Sequence, residues 1–342
     1  MADGLTCDAD IAVVVVAFRN PGDVVGCLNA LAQAPAQPNF SVLICENGGA
    51  KAYDSLVAAL VEMGLPGAEG QVGERAAPFD RLQVFRLGAR RVIVGLAAAN
   101  LGYGGGINAW LIKLGPEAGW RGVWVLNPDT EPEPDALAAL VRFADDHGKG
   151  MVGSRAMFTD TAEVVRARGL KWRKLAASVR GVDIFARAAV RPDPADIEAR
   201  IDAPSGCSFY VTRACIERIG MMDDRYFLFF EDLDWGLRAK ASCGVGYAYD
   251  SVVPHIGGTS IGSGKRMADR SRLAVYLEFR NRILFVRWNF PGWLAWTVFM
   301  AALQSGRLLL TGALGNFAAA WSGLGAGLAG ETGRPDRLIS AG

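Results

Sequence analysis

Apolar residues along the chain fall into short unbroken runs, separated by segments in which they recur every three or four positions. IAVVVVAF (11–18) is continuous, β-branched and closed by the turn-like RNPGD, the pattern of a central strand covered on both faces of a parallel sheet. VVGCLNALAQA then has helical spacing, and FSVLICEN (40–47) is a second strand-like run. LQVFRL and RVIVGLAAAN (82–100) supply one or two further strands, INAWLIKLG (107–115) a helix, and GVWVLNPDT (122–130) a strand with a polar end. This alternation predicts an α/β fold with a doubly wound, mostly parallel sheet flanked by helices, whose ligands gather at the carboxyl ends of the strands.

GLPGAEGQVGERAAPFD (64–80) reads as a loop or insertion. From 151 to 200 the pattern weakens: MVGSRAMF resembles a strand, and the basic stretch RARGLKWRKLAASVRG reads as a mobile or acceptor-side loop. The α/β part closes in a glycine-rich segment before residue 265, which divides the chain into a domain at 8–265 and a C-terminal helical segment at 266–342. Within that segment LLLTGALGNFAAAWSGLGAGLAG (308–330) carries no charge. It is compatible with crossing a bilayer, with burial, or with lying flat on a membrane.

Composition narrows the function classes. The 342 residues hold 36 Lys and Arg against 35 Asp and Glu, so a net charge of +1 gives no general pull on nucleic acid. Six cysteines without a CxxC pair read as reduced thiols of a cytoplasmic protein. Two histidines, His147 and His255, exclude a multi-histidine zinc site. The acidic N-terminus lacks the basic start of a signal peptide.

Polar groups punctuate the expected strand ends: Phe18-Arg19-Asn20, Glu46-Asn47, Asn100 with its glycines, and Asn127-Pro128-Asp129. Glu46-Asn47 is equally at home in a turn, and Asp129 equally suits a helix cap. NLGYGGGINAW does not follow the first strand, so a nicotinamide-dependent oxidoreductase is disfavoured. Its glycines would aim backbone amides at a phosphate. FFEDLDWGLR (229–238) places Glu231, Asp232 and Asp234 behind an aromatic pair, either as a helix first turn or as carboxylates that handle a metal or a proton. Arg238, four residues on, suits Asp234 as a partner.

Taken in order, VVVVAFRN, VLICENGG, NLGYGGGIN, VWVLNPDT, APSGCSFYVTR, YFLFFEDLDWGLR and VVPHIGGTS resemble the family 2 glycosyltransferases of GT-A fold, of the bacterial rhamnosyltransferase type. The resemblance covers roughly residues 10 to 262 and continues more weakly through YLEFRNRILFVRWNFPGW. It implies that Phe18, Arg19 and Glu46 hold the nucleotide, that Asn100, Gly105 and Asn127 serve the donor, and that Asp129 and His255 hold Mg²⁺ or Mn²⁺. It further implies that Asp232 is the acceptor-activating base, with Glu231 beside it. Asn127 stands where the family's metal signature has its first acid, and Glu46 where Asp is more usual.

The expected activity is inverting sugar transfer from a nucleotide-sugar donor, dTDP-rhamnose or a UDP-sugar, to a glycan or lipid-linked acceptor in surface polysaccharide synthesis. The alternative is a catalytically weak carbohydrate-binding scaffold that retains the fold. Trp288, Trp293 and Trp296 near Arg280, Arg282 and Arg287 fit peripheral contact with anionic lipid at the inner face of the cell membrane. A homo-oligomer interface would account for the same residues.

Overall fold

The computed structural model describes residues 9–67, 77–161, 163–257 and 267–335. Strands β1 (Ile11–Ala17) and β2 (Phe40–Glu46) follow the first two apolar runs, with helices α1 (Pro21–Ala32) and α2 (Ala50–Glu62) after them. The 82–100 segment resolves into two strands, β3 (Phe79–Leu87) and β4 (Arg90–Ala97), then comes α3 (Gly102–Leu114). Next are β5 (Gly122–Leu126), α4 (Ala136–His147), β6 (Met151–Phe158), β7 (Val165–Ala167), β8 (Leu170–Arg173), β9 (Ser178–Gly181) and α5 (Pro194–Arg200). The chain continues through β10 (Ser208–Thr212), α6 (Arg213–Ile219), α7 (Glu231–Ser242) and β11 (Val245–His255). It ends in α8 (Arg272–Asn289), α9 (Leu294–Leu310) and α10 (Leu314–Ala329).

The main sheet runs β11-β6-β10-β5-β1-β2-β4-β3, with β7 beside β6. Its centre, β4-β2-β1-β5, is parallel, whereas β10 is antiparallel to both β5 and β6. Because side chains alternate across a strand, Val13, Val15, Val42 and Ile44 pack against α1, α2 and α4 on one face. Val14, Leu43 and Cys45 pack against α3, α6 and α7 on the other. Both faces are dry, as unbroken apolar runs require.

Three expectations change. The 166–181 stretch is not a loop: it contains the β8–β9 hairpin, whose Trp172 is buried 5.1 Å from the Phe285 ring. The 308–330 stretch is not one helix. It breaks at Gly312, in the left-handed region at φ 72°, where the Gly312 and Ala313 amides return to Leu309 and Leu308 carbonyls. The residues long and apolar enough to cross a membrane are instead Pro291–Leu310, among the described residues.

Third, Arg280 and Arg282 do not face a lipid surface. Both are buried, because Arg280 donates to the Tyr226 and Gly333 carbonyls while Arg282 engages Glu278 and Gln304. Arg287 is half-buried and donates to the Leu328 carbonyl. Much of the proposed 64–80 loop and the segment after Gly257 lie outside the described residues.

Candidate active site

β1 and β2 end side by side, Ala17 opposite Glu46, so the residues that follow them meet. Arg19 takes a left-handed backbone, φ 57°, and its amide lies 3.2 Å from Glu46 Oε1, which also accepts the Gly48 amide at 2.6 Å. The Arg19 guanidinium sits 5.0 Å from the Phe18 ring centroid. Glu46 Oε2 is buried and takes no protein hydrogen bond. Burial raises this carboxyl, with the Gly48 and Arg19 amides pulling the other way. The three residues therefore form one strand-end cluster with an acceptor oxygen to spare.

Asn47, one of the polar strand-end residues and equally at home in a turn by sequence, joins β2 to α3. Its Nδ2 donates to the Gly102 carbonyl at 2.8 Å and its Oδ1 accepts the Leu101 amide at 3.2 Å. Asn100 Oδ1 accepts the Gly102 amide, and the Tyr103 amide donates to the Phe227 carbonyl. The amides of 101–103 expected to meet a phosphate are thus already bonded within the protein. Asn100 and Gly105 line a cleft of about 370 Å³ with Asn108, Asp224 and Arg225. Asp129, Asp232 and His255 are not among the residues lining that cleft.

Asp129 does not cap α4, whose cap position is Asp135. The 129–131 backbone instead pairs with the end of β11: the Ile256 amide donates to the Asp129 carbonyl, and the Glu131 amide to Pro254. This pairing sets His255 Nε2 3.2 Å from Asp129 Oδ1, while Asp129 Oδ2 accepts the Gly257 amide at 2.9 Å. Burial opposes charge on Asp129, yet His255 and the Gly257 amide hold its carboxyl below the ordinary range. Burial would lower His255, but the Cys207 charge and the Asp129 contact outweigh it and raise the imidazole to about 9. Positive charge is favoured between these groups.

His255 is buried, and apart from the 3.2 Å approach of Nε2 to Asp129 Oδ1 neither ring nitrogen makes an aligned hydrogen bond to a described residue. An open imidazole against a carboxylate fits a divalent cation. Among the described residues no cluster of three or more His, Cys, Asp or Glu ligands exists. The rest of a coordination shell would come from phosphate oxygens and water, as is usual for Mg²⁺.

Asp232 and Glu231 open α7 after a strained approach, since Phe227, Phe229 and Phe230 all have left-handed φ, between 67° and 77°. Bulky residues hold such values only where surrounding contacts impose them. The contacts come from α8: Asn281 Nδ2 lies 2.7 to 3.0 Å from the carbonyls of Tyr226, Leu228 and Phe229, and Arg280 donates to Tyr226 at 2.8 Å. Asp234 is already committed within the protein, to Asn289 Nδ2 at 3.0 Å as well as to an arginine. It pairs with Arg238 at 3.0 Å, as the helical spacing predicts.

Asp232 Oδ1 accepts the Leu233 amide at 2.8 Å, and its carboxylate lies over Gly206, where a Cβ would collide with it. Burial raises the Asp232 carboxyl against the pull of that amide. Burial, and then the Asp232 charge, push Glu231 from its ordinary 4.5 up to about 8. Glu231 Oε2 has no hydrogen-bond partner in the protein.

From 4.5 to about 8 the folded protein keeps a proton on Glu231 that the unfolded chain releases, so stability falls as pH rises across this window. Glu231→Gln abolishes that loss. Its melting temperature gains on the wild type between about pH 5 and about pH 9; a constant gap would mean that folded Glu231 is ionised throughout.

Tyr103, absent from the sequence-based candidates, joins the two halves. Its hydroxyl lies 3.0 Å from Asn127 Oδ1 and 2.8 Å from the Gly206 carbonyl oxygen. Burial, and then the charges of Asp232, Glu231, Cys207 and Asp129, hold its phenol proton firmly in place. Tyr103 is therefore within electrostatic reach of Asp129 and of both carboxylates that open α7. Its sequence neighbours are the glycines of NLGYGGGIN, which mark a close backbone approach but give no sign of what a phenol there would touch.

No protein-family model matches the chain. It is 26% identical over 228 residues to an N-acetylglucosaminyl-diphospho-decaprenol L-rhamnosyltransferase of Mycobacterium tuberculosis, a match taking in 58% of this chain and 69% of that protein. Among solved structures it is similar to the mannosyltransferase PcManGT of Pyrobaculum calidifontis in complex with GDP-Man and Mn²⁺. That likeness has a TM-score of 0.51 at 13% identity and covers 96% of this chain and 90% of the other. GalNAc-T7 with UDP, GalNAc and Mn²⁺ gives a TM-score of 0.57 at 12% identity, over 87% of this chain and 51% of that one.

Proposed function

From the GT-A fold that this chain shares with both glycosyltransferase structures, we propose that it is an inverting glycosyltransferase that uses a nucleoside-diphosphate sugar. The meeting of Tyr103 with Asn127 and Gly206, the Asp232 carboxylate lying over that same Gly206, and the His255–Asp129 pair two residues beyond Asn127 carry this conclusion. Asp129 and His255 would hold Mg²⁺ or Mn²⁺. A divalent cation supplies charge neutralisation for a departing diphosphate. Phe18, Arg19 and Glu46 hold the nucleotide, the spare Glu46 oxygen accepting from it. Asn127 faces the donor at the end of β5.

Asp232 takes the acceptor hydroxyl proton as that oxygen bonds the anomeric carbon and the bond from that carbon to the diphosphate oxygen breaks. Direct attack from the opposite side inverts the configuration. A raised carboxyl makes Asp232 a better base than a free aspartate. Glu231, held neutral by burial beside Asp232, orients the base without adding charge.

The test is a thermal-shift and donor-hydrolysis screen of UDP-, dTDP- and GDP-sugars with and without Mn²⁺. One donor should raise the melting temperature and be turned over only with metal, because a ligand of the folded state stabilises by mass action. Stabilisation without turnover for any donor would favour the carbohydrate-binding scaffold instead.

The acceptor is lipid-linked and the protein meets it at a membrane surface. Trp296, Phe299, Leu303, Leu310, Leu314 and Trp321 are exposed on α9 and α10, and residues 279–330 contain no acidic side chain. A large apolar face free of negative charge suits an anionic bilayer. Phe299→Glu with Leu303→Glu should abolish co-sedimentation with vesicles of anionic phospholipid while donor hydrolysis persists. Undiminished sedimentation rejects this face as the membrane contact, and a dimer that the same variant dissociates would assign the face to a second copy.

A further inference from the structure

Tyr103 poses a problem of proton count. Its hydroxyl lies within hydrogen-bond distance of the Gly206 carbonyl oxygen, at 2.8 Å, and of Asn127 Oδ1, at 3.0 Å. A phenol has one proton to give. If both neighbours are acceptors, one oxygen pair is left unbridged in a part-buried place, where an unmatched polar contact is expensive. The Gly206 carbonyl is fixed by the chain and cannot turn. The Asn127 side chain can, because its amide oxygen and nitrogen are nearly the same size and exchange by half a rotation.

After that rotation Asn127 Nδ2 donates to the phenol oxygen, and the phenol proton goes to Gly206. Both contacts are then satisfied hydrogen bonds. The Asn127 backbone is already committed, its amide to the Cys207 carbonyl at 2.9 Å and its carbonyl to the Thr130 hydroxyl at 2.6 Å, so only the side chain responds. Its outward amide atom makes no hydrogen bond to the described residues.

We propose that Tyr103 is a positioning residue that turns the Asn127 amide oxygen outward, as a neutral oxygen ligand for the divalent cation at Asp129 and His255. The assignment rests on the metal-bearing site proposed above. Asn127 stands two residues before Asp129 at the end of β5, where an amide oxygen suits a hard cation and an amide N–H would repel it. It also gives Asn127 a reason to occupy the place of an acid: a carboxylate has two like oxygens and needs no orienting partner, whereas an amide does.

The test titrates Mn²⁺ into the 342-residue protein with UDP, GDP or dTDP present, following free Mn²⁺ by electron paramagnetic resonance. Tyr103→Phe should weaken Mn²⁺ binding by about ten- to a hundredfold, the usual effect of losing a group that orients a ligand, while diphosphate binding without metal is retained. Asn127→Asp in the Tyr103→Phe background should restore Mn²⁺ affinity, since either carboxylate oxygen serves. Unchanged affinity in Tyr103→Phe overturns the proposal. So does a loss that Asn127→Asp does not repair, because the phenol then only supports the fold. If the wild-type protein binds no Mn²⁺ with any diphosphate, the metal site itself falls and the orientation with it, a failure distinct from the other two.

Discussion

If Asp232 is the general base proposed above, Asp232→Asn should lower sugar transfer by about two to four powers of ten, the span expected for a positioned general base, and leave donor affinity nearly unchanged. The substitution preserves size and can still accept the Leu233 amide through Oδ1. What it removes is the charge proposed to receive the acceptor proton. Glu231→Gln is the matched control. With Glu231 pushed up to about 8, its working form is already neutral, and the amide mimics it. A rate for Asp232→Asn within about tenfold of wild type, beside a collapse in Glu231→Gln, would exchange the two roles.

Gly102→Ala should be the most damaging conservative change near the site. Gly102 has φ 73°, and an added Cβ would overlap the Phe227 carbonyl oxygen and lie 2.8 Å from its carbon. The left-handed backbone alone is unfavourable for alanine, and the clash is against backbone, which has little room to give. Together they should destabilise the fold by about 2–5 kcal/mol. Denaturant titration measures this as a lowered midpoint. Because the Tyr103 amide donates to that same Phe227 carbonyl, relaxation of the clash also shifts Tyr103 and the aromatic segment before Asp232. Transfer should drop further than the loss of folded protein explains; a variant with wild-type midpoint and rate would show that the two segments are not rigidly joined.

The parallel centre of the sheet was legible because strands buried on both faces must be apolar throughout, and β1, β2 and β5 are. The hairpin at 170–181 was not, because its basic residues point outward on a two-stranded ribbon and mask Trp172, which holds it down. Asp129, His255 and Asp232 could be picked out only through their resemblance to a known family; locally each passes for a cap or a core residue. Tyr103 could not be found at all, since its partner Gly206 is 103 residues away. The arginines of α8 misled for the opposite reason. Arginine beside tryptophan reads locally as an interface, and it takes distant partners, the Tyr226 carbonyl 54 residues upstream and the Gly333 carbonyl 53 residues downstream, to explain why Arg280 is buried.

The Arg280–Asn281 clamp, at the middle of α8, ties the C-terminal helices to the segment that leads into α7. A truncated protein ending before α8 would leave the three left-handed phenylalanines without the donors that hold them, so they would relax to ordinary backbone and swing the first turn of α7 out of register. Any chimera that grafts a foreign tail onto this sheet must therefore bring an equivalent pair of donors to the 226–229 carbonyls, or the start of α7 and its two carboxylates will lose their support.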